Sequence, residues 1–161
     1  MTEPTFTTRV RVTRERPPLR TAELRETGET VTFGTPGYQG DFYDLGEGEL
    51  REHGGTFDYL VAAVAACLMG TLGRALAVRG IPSDGDRLLS EAEGHVVVEN
   101  NIMVMRRISI RYRLRLDDPD QREAAERAHA HHVRACGVAL SVMPSLAIET
   151  ELTTVPAAQV A

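Results

Sequence analysis

The chain has 161 residues, of which 42% are apolar and 25% charged, a length and composition typical of one soluble globular domain. Its net charge of −5 argues against nucleic acid as a partner, because binding phosphates requires a basic surface. All 18 basic residues are arginine, so Schiff-base and other lysine chemistry is excluded and any fixed positive charge in a site is a guanidinium.

Two cysteines in a chain of this length are too few for a disulfide scaffold. The N-terminus shows no basic segment followed by an apolar one, as a signal peptide would. The uncharged run 59–73 is too short to span a bilayer. These observations predict a cytoplasmic protein with reduced thiols and no membrane partner.

The first third of the sequence predicts strands followed by a long connection. Residues 6–34 contain β-branched runs that predict strands, with turns at Pro17-Pro18 and at Gly28. Residues 35–55 are rich in glycine and acidic side chains and show no periodicity, which predicts a loop.

Residues 57–79 form the strongest predicted helix. Thr56 is a suitable N-cap, and Asp58 in the first turn places a negative charge at the positive end of the helix dipole. Gly80 is expected to end the helix. The run 60–72 is apolar on nearly every face, which predicts burial on more than one side or at an oligomer interface.

The last half of the sequence predicts a hairpin, helices and a final strand. Residues 88–116 alternate around Asn100-Asn101, a favoured hairpin turn. Helices are predicted over 119–143 and a strand over 146–153, which gives a single domain over 1–161.

The two cysteines are the candidate reactive groups. A cysteine acts as a nucleophile only as the thiolate, which a neighbouring cation or a helix N-terminus favours. Cys67 lies deep inside the central helix, so its activation requires an arginine from another segment; otherwise it is a buried apolar side chain. Cys136 precedes a predicted short helix, which favours reactivity, although a core position is an equally good interpretation.

Three histidines precede the second cysteine and raise the possibility of a metal site. His129, His131, His132 and Cys136 lack the spacing of a closed tetrahedral zinc site, so no metal is expected, and zinc remains a minor alternative. Asp58 has two interpretations, compensation of the helix dipole or a bidentate pair that orients an arginine.

The order of these motifs resembles the OsmC/Ohr family, the osmotically inducible protein C and organic hydroperoxide resistance proteins. Gly54-Gly55-Thr56-Phe57-Asp58 and the alanine-rich helix resemble the segment that leads to the family's first active-site cysteine, here Cys67. Cys136-Gly137-Val138 resembles the second-cysteine motif, usually Cys-Pro-Val. The resemblance covers about residues 54–155. Thr56-Phe57 and Gly137 depart from the common pattern, as in a divergent member.

The resemblance implies an α+β fold with antiparallel sheets wrapped around long central helices in an intertwined homodimer, with sites at the subunit interface. It also implies a thiol-dependent peroxidase in which Cys67 attacks an organic hydroperoxide and Cys136 resolves the oxidised thiol. No bound cofactor is expected, because an external dithiol would reduce the resulting disulfide. The alternative is a non-catalytic small-molecule-binding or structural dimer that kept the fold.

The resemblance also implies activation by an acidic residue and an arginine. Asp58 occupies the acidic position of one family branch, and Arg51 lies roughly where one branch carries its arginine. Arg14, Arg16 and Arg20 flank the first turn, where another branch carries it. We further expect an apolar wall for the hydroperoxide tail. Its candidate residues are Phe57, Leu68, Met69, Met103, Met105 and Met143.

Overall fold

Two sheets, each of three strands, account for all six strands of the structure, a computed structural model that describes residues 4–45 and 53–157. The chain divides into two compact units, 1–59 and 60–161, with the boundary inside the longest helix. The strands are β1 (Val10–Arg14), β2 (Arg20–Leu24), β3 (Thr30–Phe33), β4 (Leu88–Glu99), β5 (Ile102–Leu116) and β6 (Ala147–Pro156). The helices are α1 (Gly37–Phe42), α2 (Thr56–Ala77), α3 (Arg122–His132) and α4 (Gly137–Val142).

The first unit contains an antiparallel sheet in the order β1-β2-β3, as the strand patterns predicted. Gly28 has a φ of +73° in the turn between β2 and β3, a conformation that glycine adopts without strain. The predicted loop 35–55 was wrong in part, because α1 lies within it. Six residues are too few to show helical periodicity, so no pattern in the sequence indicates this helix.

Helix α2 begins one residue earlier than predicted and ends two residues earlier. Thr56 is the first residue of the helix and not its N-cap. The side chain of Asp58 instead accepts a hydrogen bond from the backbone N–H of Gly55 at 2.6 Å, as the acidic residue of a capping box does. Gly80, with a φ of +68°, follows the helix as predicted.

One stripe of α2 carries its buried side chains. Val64, Leu68, Leu72 and Leu76 recur every four residues, and all four are completely buried. Ala62, Ala66 and Gly70 on the opposite face are exposed. The expectation of burial on more than one side was therefore wrong for the single chain. By length and composition α2 alone among the helices of the described ranges is long and apolar enough to cross a membrane, a test that core helices of soluble proteins also pass.

The second sheet has the order β4-β5-β6 and lies in the second unit. Asn100 and Asn101 have positive φ values and form the predicted hairpin turn between β4 and β5. β6 pairs with β5 in parallel, so this sheet is mixed and not wholly antiparallel as expected. A parallel partner requires a crossover connection, which α3 and α4 provide.

The core of the second unit combines the buried stripe of α2 with one face of β5 and one face of α3. The predicted alternation along β5 is confirmed, because every second side chain from Ile108 to Leu116 is buried. On α3, Ala125, Ala128 and His132 share the buried face. The two 3₁₀ turns Pro119–Gln121 and Val133–Ala135 flank α3, and Cys136 lies at the predicted break between this helical segment and α4. The single domain over 1–161 stays a prediction.

Candidate active site

The two cysteines lie against each other. The Sγ atoms of Cys67 and Cys136 are 3.1 Å apart, and the thiol of Cys136 donates a hydrogen bond to the sulfur of Cys67. Both thiols are free. Cys67 is half-buried, whereas Cys136 is completely buried. Residues 69 positions apart in the sequence are thus brought within the reach of a disulfide, which requires the sulfurs to approach by only about 1 Å more.

Cys136 is held by the start of α4. It is the N-cap residue of that helix, and its sulfur accepts a hydrogen bond from the backbone N–H of Ala139 at 3.5 Å. Burial raises the pKa of the Cys136 thiol, and the neighbouring Cys67 raises it further. Hydrogen bonds with the Ala139 N–H and with the side chain of Thr71 oppose this rise without cancelling it. The pair therefore contains one buried thiol that retains its proton.

Cys67 lies on α2 and immediately precedes Leu68, one of the four residues of the buried stripe. The carbonyl oxygen of Cys67 accepts a hydrogen bond from the hydroxyl of Thr71 at 2.9 Å, one helical turn later. The same threonine side chain contacts Cys136, so it links both cysteines. Thr71 was not among the predicted site residues, although a polar residue four positions after a helical cysteine shares its face.

A cavity of about 550 Å³ opens beside Cys67, between α2 and α3. Small side chains from both helices form part of its wall, and charged or titratable side chains form the rest. Besides Cys67, the charged or titratable residues that line the cavity are Arg74, Arg79, His131 and His132. A cavity of this size accommodates a small organic molecule next to the thiol.

The expected apolar wall does not lie at this cavity. None of the six candidate residues lines it, and two of them, Leu68 and Met105, are buried in the core. Met143 is exposed. The prediction was wrong for the cavity beside Cys67. Leu68, for example, lies on the buried face of α2 and not on the face that lines the cavity.

A buried polar cluster lies close to Cys136. The Nδ1 atom of His132 is 2.6 Å from the carbonyl oxygen of His129, to which it donates, and its Nε2 is 3.2 Å from the hydroxyl of Tyr112. The ring of His129 stacks on His132 at 5.0 Å. Burial lowers the pKa of both histidines and raises the pKa of Tyr112, which the electrostatic interaction with Cys136 raises further.

The zinc alternative for these histidines gains no support from the geometry. Both ring nitrogens of His132 are used within the protein. Across residues 4–45 and 53–157 no three His, Cys, Asp or Glu side chains converge as metal ligands would. The Tyr112–His132 pair was missed in the sequence, because residues on a strand and on a later helix meet only through the fold.

Asp58 acts locally in the first turn of α2. One carboxylate oxygen accepts from the Gly55 N–H, and the other accepts from the hydroxyl of Tyr38 at 3.4 Å. Burial and the adjacent carboxylate raise the pKa of Tyr38 to about 12. This geometry supports the capping role of Asp58, and its role in orienting an arginine stays a prediction.

The predicted arginines have different environments within the first unit. Arg51 lies outside the described residues. Arg14 and Arg20 face each other across β1 and β2. Arg20 donates from Nη2 to the carbonyl oxygen of Gly34 at 3.3 Å, while its buried Nε has no partner among the described residues.

Comparison with known proteins places this arrangement in a family. The family model for OsmC-like proteins matches residues 55–151, more than half of the chain. No curated protein matches the sequence. An OsmC-like protein of unknown function from Vibrio cholerae has the same fold, with a TM-score of 0.74 at 14% identity, covering 92% of this chain and 100% of that one.

Two further solved structures share the fold. An organic hydroperoxide resistance protein of Legionella pneumophila matches with a TM-score of 0.65 and 14% identity, covering 94% of this chain and 99% of that one. The organic hydroperoxide resistance protein OhrB of Bacillus subtilis matches with a TM-score of 0.60 and 15% identity, covering 92% and 98%. The family match, the shared α+β fold and the paired cysteines agree with the sequence resemblance. The chain belongs to the OsmC-like protein family.

Proposed function

We propose that this protein is a thiol-dependent peroxidase that reduces organic hydroperoxides. The observation that carries the proposal is the 3.1 Å separation of the Cys67 and Cys136 sulfurs, one half-buried beside a cavity and the other buried. Two relatives of the same fold are organic hydroperoxide resistance proteins, which supports this reaction class.

In the first step the Cys67 thiolate attacks the terminal oxygen of the hydroperoxide. A sulfur–oxygen bond forms, the oxygen–oxygen bond breaks, and the alkoxide leaves with the electron pair and takes up a proton to become an alcohol. Cys67 becomes a sulfenic acid, the first and reversible stage of cysteine oxidation.

In the second step Cys136 resolves the sulfenic acid. Its sulfur attacks the sulfur of Cys67 and displaces hydroxide, which leaves as water with the proton that the Cys136 thiol gives up. The raised pKa of Cys136 supports this order, because a thiol that keeps its proton is a poor first nucleophile and a good hydrogen-bond donor to its partner.

In the third step an external dithiol returns the enzyme to its starting state. Thiol–disulfide exchange through a mixed disulfide transfers two electrons to the Cys67–Cys136 bond and leaves the dithiol oxidised. The proposed cycle uses no bound cofactor or metal. Its partners are a small organic hydroperoxide, a dithiol reductant and a second copy of the chain.

Activation of Cys67 is assigned to a guanidinium, because the chain has no lysine. We assign this role to Arg51, with Arg20 as the second candidate because its buried Nε lacks a partner among the described residues. Asp58 is proposed to orient the arginine. The Arg51→Gln and Arg20→Gln variants separate the candidates. The one that raises the pH midpoint of Cys67 alkylation by iodoacetamide identifies the activating arginine, measured in the Cys136→Ser background.

Thiol titration tests the reaction. One equivalent of cumene hydroperoxide should remove two free thiols per wild-type chain and yield the alcohol. Cys67→Ser should consume no peroxide, while Cys136→Ser should turn over once and leave a sulfenic acid that mass spectrometry detects after trapping with dimedone.

The same serine variants would also show whether the roles of the two cysteines are reversed. If Cys67→Ser retained multiple turnover, the proposed roles of the cysteines would be wrong. If wild-type protein kept both thiols in excess hydroperoxide, the non-catalytic dimer would be the better description.

A further inference from the structure

The cavity beside Cys67 carries positive charge. Arg74 and Arg79 contribute guanidinium groups, and among the described residues none that lines the cavity is acidic. This is unusual in a chain whose net charge is −5. The cavity therefore differs in sign from the molecule as a whole.

Arg74 lies where its guanidinium faces the same space as the Cys67 sulfur. Seven residues separate the two along α2, which is about 10 Å along the axis and within about 20° of the same face. Long helical side chains point back toward the N-terminus, so the guanidinium lies nearer to Cys67 than the Cα spacing. Gly70 lies between them in the sequence of α2. A Cβ placed on Gly70 would have no heavy atom within 4 Å, so the space between Cys67 and Arg74 is open there.

No structural partner accounts for the positive charge of Arg74. The sheet arginines Arg106, Arg111 and Arg115 each pair with a carboxylate. The side chain of Arg74 forms no ion pair or hydrogen bond with any residue in 4–45 or 53–157. Compensation of the dipole at the end of α2 is a role that Arg79, bonded to the Ala75 carbonyl oxygen at 2.7 Å, also fills.

We propose that the cavity selects organic hydroperoxides that carry a carboxylate, and that Arg74 is the residue that determines this specificity. This inference rests on the proposed peroxidase function. A carboxylate within about 10 Å of the peroxide oxygen meets the Arg74 fork while the peroxide meets Cys67, and Arg79 adds a second positive charge. The aliphatic wall of Ala75, Val78 and Ala128 covers the body of the molecule between the two ends.

A matched pair of substrates tests the charge alone. Cumene hydroperoxide with a para-carboxylate and the methyl ester of the same compound differ in charge and hardly in shape near the peroxide. Wild-type protein should show a kcat/KM about tenfold higher for the acid than for the ester, as expected for one charge-assisted hydrogen bond.

Three variants assign the preference to Arg74. Arg74→Gln should abolish the preference for the acid, so that the ratio of kcat/KM for the acid to kcat/KM for the ester falls to about one, whereas Arg74→Lys should retain part of the preference. Arg134→Gln is the matched control, because Arg134 is exposed on the turn before Cys136 and does not line the cavity. Its preference for the acid should equal that of the wild type.

Equal kcat/KM values for acid and ester in the wild type would overturn the inference and leave the peroxidase intact. A binding measurement tests the inference even if the protein has no peroxidase activity. Calorimetric titration with 4-isopropylbenzoate, which has no peroxide, should show binding that Arg74→Gln weakens by about tenfold, as loss of one such bond predicts. Equal binding to both proteins, or none to the wild type, would overturn the inference whether or not the cysteines turn over.

Discussion

Asp58 has a structural role in capping α2 and a proposed role in orienting the activating arginine. Its carboxylate accepts from the Gly55 N–H and from the Tyr38 hydroxyl. An asparagine at this position keeps an oxygen that accepts from the same N–H but loses the charge. The pair of variants Asp58→Asn and Asp58→Ala therefore separates the cap from the charge.

We expect Asp58→Ala to lower the free energy of unfolding by about 1 kcal/mol through loss of the cap, with Asp58→Asn losing distinctly less. Urea unfolding measures both. If Asp58→Asn keeps its stability and loses peroxidase activity, the charge has a role beyond the cap. Full activity in Asp58→Asn would remove Asp58 from the proposed machinery.

The half-buried His129 and the buried His132 make the stability of the protein depend on pH. Burial is the main cause of the lowered pKa of each ring in the folded chain, and the unfolded chain has the ordinary value near 6.5. Below about pH 6.5 the unfolded chain binds protons that the folded chain does not, so acid favours unfolding. The stability that the neutral rings contribute is fully present above about pH 6.5 and declines as the pH falls.

We expect the free energy of unfolding to be lower at pH 5.5 than at pH 7.5, measured by urea titration of the reduced protein. His131→Gln is the control, because His131 lies on the same helix but is exposed, and this variant should show the same decline. Stability that stayed constant or rose between pH 7.5 and 5.5 would contradict the account.

At the level of elements, β4 and α2 approach each other at a glycine. A Cβ on Gly94 would lie 2.7 Å from Cγ2 of Val61 and 2.7 Å from Cε of Met105. The methionine end can move, but the valine methyl is fixed to the helix backbone by a short branched side chain. The contact leaves room only for a residue without a side chain.

Gly94→Ala should therefore lower the free energy of unfolding by about 1–3 kcal/mol, the usual cost of overpacking. Thermal or urea unfolding checks it. Gly137→Ala is the matched control, since a Cβ there meets nothing within 4 Å, and it should change stability little. A neutral Gly94→Ala would show that β4 and α2 do not pack as closely as described.

The elements that could be predicted from the sequence were those with a long, regular pattern. The alternation of β5, the length of α2 and the Asn100-Asn101 turn each carry a local signal that the fold preserves. The parallel pairing of β6 could not be predicted, because alternation has the same period in parallel and antiparallel strands.

The site was predictable only in part, for a similar reason. The pairing of Cys67 with Cys136 followed from the family resemblance and not from either cysteine alone. Tyr112 with His132, and Arg74 beside Cys67, depend on which helix faces which strand or cavity. Arg74 had one usable signal, its spacing of seven residues from Cys67 on a predicted helix.

At the scale of the whole molecule, the exposed face of α2 raises the question of its partner. Ala62, Ala63 and Ala66 lie on this face, opposite the buried leucines. Small residues allow two helices to approach closely, and a long apolar helix left half exposed is costly in water. The family resemblance implies an intertwined homodimer, and we propose a second copy of α2 as the partner of this face.

We expect the protein to sediment as a dimer at micromolar concentration in buffer without detergent. Ala66→Glu should shift it to a monomer, because a carboxylate buried between two helices would lack a partner. Ala130→Glu introduces the same charge at an exposed position of α3 and should leave the dimer intact. A monomeric wild type would contradict the dimer, and so would an Ala66→Glu variant that stays dimeric by this face. Wild-type protein that stays in solution only with detergent or lipid would instead assign the exposed face of α2 to a membrane.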